Sequence, residues 1–491
     1  VLRFDVNAPI TTLKPSGVET SGSTNIFPLL YSYLFVPNAD GKLQPDLAVN
    51  WVYDSTSSTW TIQIRKNARF HNNHPVTLKD IQYSMENHLK KISPGLLLLI
   101  DRIWLVSDTE ISIRLTKHDP MFSNKIWDTE IVPQPLDKKY DFYNHPIGSG
   151  PFKFKYRKGE QEVVLEANED YYNGRPSLDQ IVFYFQPDKE KSWARLLSGE
   201  TDIAQEVTPE NYEMMQQYEN RFYFDLYTLP YYRIILYNTN DPLFSDPKVR
   251  LALTYAIDRE YIVKKILRGY GKIASGPMGV GSRFHNPEVK PVLYNPQTGL
   301  SLLRDAGWAY EKNTCYLYKG GKPFQFTIYV FNESQIDKKV ARYIQLCLND
   351  LGIKVELQAL EHRDLVRKFL RNNQFQAVLA DFKSAFRKPE YLKQQWSTYP
   401  SRCSVAGCFE HPEVTRLINR ALEEKDPLQE KQLFYEIDAL IASLQPGTFL
   451  FQKTAIDVMS KRFSLPHHFS ITYEGIYQLK YASLNQNWKY P

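Results

Sequence analysis

Residues 323–384 read PFQFTIYVFNESQIDKKVARYIQLCLNDLGIKVELQALEHRDLVRKFLRNNQFQAVLADFKS. Pro323–Val330 and Lys354–Ala359 have the short, alternating pattern of strands. Lys338–Leu351 and Leu365–Asn372 carry apolar residues at helical spacing, and Ala377–Phe382 is a short apolar run that ends the series. Strand, helix, strand, helix, strand predicts an α/β unit with parallel pairing. In such sheets ligands gather at the carboxyl ends of strands, and Asp381 stands at one of them.

Working outward, the same alternation continues on both sides. Upstream lie a strand at Tyr231–Asn238, one long helix at Asp246–Leu267 and a helix at Ser301–Ala306. Downstream lie helices at Pro412–Glu424 and Pro427–Leu444, then strand-like pieces. In the first half, Trp60, Ile62 and Ile64 alternate with polar residues, as in a half-buried strand. Thr77 and Asp80 form an approximate capping box for the following helix. Further strands are expected at Ile103–Val106, Glu110–Leu115, Gly159–Ala167 and Gln180–Phe185, and helices at Lys189–Ser198 and Pro209–Gln217. The run Ile147-Gly148-Ser149-Gly150-Pro151 reads as a structural turn. Glycine followed by proline and a strand cannot wrap helix amides around a phosphate.

Composition narrows the function classes. The chain has 491 residues, 43% hydrophobic and 23% charged, enough for several cores. Its 60 basic and 55 acidic residues are interleaved, without the one-sided basic cluster of a nucleic-acid binder. No run approaches the ~18–20 apolar residues of a membrane span. The 33 tyrosines fill cores for the most part, and some could line a ligand pocket. Cys315, Cys347, Cys403 and Cys408 do not have zinc-ligand spacing. Cys403 and Cys408 flank a short loop that could close as a disulfide. His467 and His468 are adjacent, so on a strand they diverge, and a surface loop is the expectation. GxSxG, HExxH and P-loop patterns are missing, so no enzyme, cofactor or metal is expected.

Four ordered segments resemble the family 5 extracellular solute-binding proteins of ABC importers, the oligopeptide, dipeptide and nickel group. They are LQPDLA with WTIQIRKNARFHNNHPVTLKDIQYSMEN; IGSGPFKF with YYNGRPSLDQIVF and LLSGETDIA; LYNTNDPLFSDPKVRLALTYAIDRE with YNPQTGLSLLRDAGW; and HPEVTRLINRALEEKDPLQEKQLFYEIDALIASLQP. The resemblance implies the two-lobed periplasmic-binding-protein fold, class II, cluster C type, with an extra subdomain on the first lobe. Lobe one would comprise 1–41, 166–238 and 456–491, its insert 42–165, and lobe two 239–455. It also implies an exported monomer outside the cytoplasmic membrane, made with a signal peptide. That monomer would close by hinge motion around a small solute, a short peptide first, and serve an ABC permease.

Within that resemblance, Asp381 matches the aspartate that pairs with a peptide's free α-amino group. Phe382 and Trp396 would offer ring faces, with core packing as the alternative. Arg387, Arg283 and Arg233 are candidates for a peptide's carboxylate. Thr20, Ser21 and Ser23 lie in a loop that faces ligand in relatives, and the Cys403–Cys408 pair matches a loop disulfide of the dipeptide binders. The peptide-binding members carry Gly-Trp before the aspartate, where this chain has Ala377-Val378. That departure keeps open a non-peptide solute such as a metal chelate, opine or sugar. A ligand-sensing domain of a transcriptional regulator is the remaining alternative.

Overall fold

The computed structural model describes residues 1–491 except 16–24, 38–41, 93, 121, 135–140, 142–143, 333, 362–363, 365–373, 385–389, 399–406, 425, 466–475, 477–478 and 486–491. The chain divides into two units, Val1–Leu226 with Ile456–Pro491, and Tyr227–Ala455.

In the first unit, strand Leu2–Val6 pairs in parallel with Gln180–Phe185 on one side and with Ile203–Ala204 on the other. Glu162–Ala167 and Phe152–Lys158 extend the sheet in antiparallel fashion. Leu2, Phe4, Leu165, Ile181 and Phe183 form its core. The two outer strands correct the expected insert at 42–165, because their pairing places 152–167 in the main sheet.

A second, four-stranded antiparallel sheet orders Ala48–Asp54, Thr59–Ile64, Glu110–Leu115 and Ile100–Leu105. Ile62, Ile64, Ile111 and Ile113 pack on Ile81, Met85 and Leu89 of helix Leu78–Ile92. The helix starts where the capping box predicts. Asp80 Oδ2 accepts from Thr77 N at 2.8 Å and from its hydroxyl at 2.5 Å, while Asp80 N donates to Thr77 Oγ1 at 3.4 Å.

The glycine turn is held by close backbone approach. A Cβ on Gly148 would run into the Leu30 carbonyl, and one on Gly150 would lie 2.5 Å from Leu29 O. His71 locks the turn. Its backbone N donates to Gly148 O at 2.8 Å. Its Nδ1 faces Gly148 N at 3.2 Å and its Nε2 faces Gly150 O at 3.1 Å. Those partners require a neutral ring with the proton on Nε2. Burial, the largest effect, pushes its pKa down to about 3, against the bond to Gly150.

The second unit is a mixed sheet ordered Lys354–Leu360, Gln325–Phe331, Ala377–Lys383, Tyr231–Tyr237 and, as far as Ala455, the long strand Gly447–Ser460. The first three strands are parallel, as the alternation predicts, and Tyr231–Tyr237 is antiparallel to Ala377–Lys383. Period-2 alternation splits the apolar side chains between two cores. Ala377, Leu379, Ile235 and Tyr237 face one, and Val378, Ala380, Phe382 and Ile234 face the other.

Two expectations are corrected here. The boundary falls at 226/227 rather than 238/239, because strand 231–237 is paired on both sides within the second unit. The long helix 246–267 is broken. Helix Pro247–Ala256 ends at Ile257, whose backbone is extended, and Asp258 caps a new turn by accepting from Tyr261 N. The expected helix 365–372 lies outside the described residues.

Candidate functional site

Strand Ala377–Lys383 is buried along its first four residues, then alternates, with Asp381 and Lys383 exposed and Phe382 buried. Asp381 therefore stands near the carboxyl end of a central strand, within it rather than just beyond it. Its register partner on the neighbouring strand is Arg233. Helix Gln335–Asp350 covers the same face of the sheet through Val340, Ala341 and Ile344. Its first turn carries Asp337, three residues after the capping Ser334, whose side chain accepts from Asp337 N at 3.2 Å.

These elements bring three charged groups together. Arg233 Nε lies 3.2 Å from Asp381 Oδ1, and Arg233 Nη2 lies 3.0 Å from Asp337 Oδ1. The pairs are close but poorly aligned. Arg233 Nε and Nη1 and Asp337 Oδ1 are buried without a properly directed hydrogen bond among the described residues. One guanidinium is thus shared by two carboxylates, of which Asp337 is 3% exposed and Asp381 39% exposed at the side chain. The enclosing protein raises the Asp381 pKa to about 6. Burial is the largest cause and Asp337 adds to it, while Arg233 and Lys453 oppose it. A partly open carboxylate with incomplete partners can take a cationic hydrogen-bond donor from solution.

The other expected residues do not share this face. Phe382 points to the opposite side of the strand, 3% exposed. It packs 5.8 Å, ring to ring, from Trp396, which is fully buried among Phe382, Phe409 and Phe449. Both sit in the core, the alternative weighed for them. Arg283 is exposed, stacks over Phe284 and pairs with Glu430 at 3.1 Å. Arg233, a carboxylate candidate on sequence grounds, faces two carboxylates instead. Arg387, Thr20, Ser21, Ser23, Cys403, His467 and His468 lie outside the described residues. Cys315 and Cys347 are free, and Cys408 is buried with a left-handed φ of 58°. Among the described residues, no group of three His, Cys, Asp or Glu is placed to hold a metal ion, and no helix is long and apolar enough to cross a membrane.

Sequence reasoning missed Asp337, because an acidic residue three positions after a serine reads as a helix cap. The usable signal was Arg233, the lone charge in the strand sequence YYRIILY.

The model of the bacterial extracellular solute-binding proteins, family 5 Middle, matches residues 42–401. The oligopeptide-binding protein AppA of Bacillus subtilis is 29% identical over 447 residues, covering 87% of this chain and 82% of AppA. The nickel-binding periplasmic protein of Escherichia coli is 23% identical over 468 residues, covering 86% of each. Among solved structures, AppA of B. subtilis in complex with a nonapeptide superposes with a TM-score of 0.83 at 25% identity, over 99% of both chains. NikA of Brucella suis in complex with Fe(III)-EDTA gives a TM-score of 0.87 over 99% of both chains, a likeness of fold alone at 20% identity. With most of its length matched by the family model, the chain belongs to the bacterial extracellular solute-binding proteins of family 5.

Proposed function

We propose that this chain captures short peptides and holds their free α-amino group at Asp381. Family 5 members are solute-binding components of ABC importers, not enzymes. The observation that carries the peptide reading is the half-open Asp381 carboxylate, at the carboxyl end of a central strand and only partly neutralised by Arg233. An ammonium held by a partly desolvated carboxylate gains more than at a free surface. The relatives add support, since AppA is an oligopeptide-binding protein and its solved complex holds a nonapeptide.

Capture outside the cytoplasmic membrane for delivery to a permease follows from the same reading, since family members are periplasmic or extracellular. An oxidising compartment would suit a Cys403–Cys408 bridge.

Native mass spectrometry of the purified protein, followed by denaturation and mass analysis of what is released, tests the assignment. Short peptides should be released, and Asp381→Ala should lower their retention at least tenfold. Release of a metal chelate or opine, or indifference to a peptide mixture in thermal-shift assays, would overturn the peptide reading and leave the family assignment standing.

A further inference from the structure

Asp381 does not face solvent as a lone carboxylate. Strand 231–237 brings Arg233 to it in register, and helix 335–350 brings Asp337 to the other side of the same guanidinium. Lys383 lies two residues along the strand, on the same face by alternation, and its ammonium stacks over the Tyr391 ring at 4.7 Å. Lys453 of the long strand acts on Asp381 through space. The core cluster thus holds two carboxylates and one guanidinium, a nominal charge of −1. Asp381 Oδ1 faces Arg233, and at 39% exposure Asp381 is the most accessible side chain of the cluster.

We infer that Arg233 and Asp337 form a built-in counter-ion pair that sets when the Asp381 site can accept a ligand's ammonium group. The inference rests on the reading of Asp381 as a ligand contact. Its physical basis is a balance of opposed charges. Arg233 favours the ionised carboxylate and Asp337 disfavours it, so removing either partner moves the site in an opposite direction. Asp337 is too deeply buried to meet a ligand itself, so both groups act as positioning residues. Arg233 also fixes the direction of Asp381, because a guanidinium anchored on a buried aspartate is itself held still.

The experiment uses the full chain and a mixture of random tetrapeptides, with the same mixture N-acetylated as control. Binding is followed by thermal shift from pH 5 to 8. In the parent chain, the response to free but not acetylated peptides should fall with a midpoint near pH 6 as Asp381 takes up a proton. Arg233→Gln should move that midpoint up by about one unit, equivalent to about a tenfold change in the ionised fraction at a given pH. Asp337→Asn should move it down by a similar amount. The double variant Arg233→Gln/Asp337→Asn should return to within about half a unit of the parent. Should Arg233→Gln fail to fold because Asp337 is left buried and unpaired, Asp337→Asn and the double variant still carry the test. Unchanged midpoints in variants that bind, with Asp381→Asn inactive, would overturn this inference alone. No response to the peptides in the parent, or full binding by Asp381→Asn, would overturn it together with the ammonium reading.

Discussion

In the first unit, the His71 ring has a partner for each nitrogen, both from one glycine turn. In the second, Asp381 and Asp337 divide one guanidinium, and three nitrogen and oxygen atoms of the trio lack a directed hydrogen bond among the described residues. Both clusters hold a group displaced from its ordinary pKa, and burial is the largest cause in each. The displacement alone therefore does not mark a binding site. Completion of the partners separates the two. A finished network fixes the chain, whereas an unfinished one beside solvent has capacity for a ligand.

The largest effect should come from the turn that His71 locks. Gly148→Ala puts a methyl group into the Leu30 carbonyl, a backbone group that cannot swing aside as a flexible side chain would. A loss of about 3 kcal/mol or more is expected in denaturant unfolding. If Gly148→Ala unfolds like the parent, the turn is looser than the structure has it and the contrast with Asp381 weakens.

The next effect is smaller and has a sign. His71→Phe leaves the Gly148 N–H without its acceptor, while Gly150 O keeps the Asn168 amide at 3.0 Å. Roughly 1–3 kcal/mol should be lost near pH 7. The folded His71 pKa, about 3, lies below the ordinary 6.5, so the unfolded chain binds more protons between these values. Stability should therefore fall as pH drops through that window, by up to about 1.4 kcal/mol per unit from this group. In His71→Phe that part of the pH dependence should vanish. A variant whose stability follows pH like the parent would mean that the folded chain binds the His71 proton as readily as the unfolded one.

How far the sequence carried the reading follows from the same contrast. Local devices were legible: the Thr77–Asp80 box, the strand alternation around Ile62, the glycine turn and the strand that carries Asp381. Each is written within a few neighbouring residues. Contacts assembled across long separations were not. Arg233, Asp337 and Asp381 come from three elements, and nothing in their immediate neighbours announces the meeting. Phe382 and Trp396 were read as ring faces or as core, and period-2 alternation turns Phe382 away from Asp381 to the face where Trp396 also packs. The break at Ile257–Asp258 was hidden because the apolar spacing runs on through it, and the capping role of the Asp258 carboxylate decides the matter.

The smallest effect in stability sharpens the contrast most, because it should run in the opposite direction. Asp381 has a folded pKa of about 6 against an ordinary 3.8, so the folded chain binds the proton more tightly. Stability due to this group should then fall as pH rises from about 4 to 6 and stay lower above that, the reverse of His71 over nearly the same range. Asp381→Asn removes the charge that burial disfavours and leaves Arg233 paired with Asp337. Allowing for the 39% exposure of the side chain, ligand-free protein at pH 7.5 should gain roughly 1 kcal/mol. The same substitution should abolish stabilisation by free tetrapeptides. A residue that weakens the empty fold and strengthens the loaded one is under selection for binding rather than for stability. If Asp381→Asn instead destabilises the empty protein, the Arg233 trio is a structural lock like His71, and the distinction between the two clusters fails.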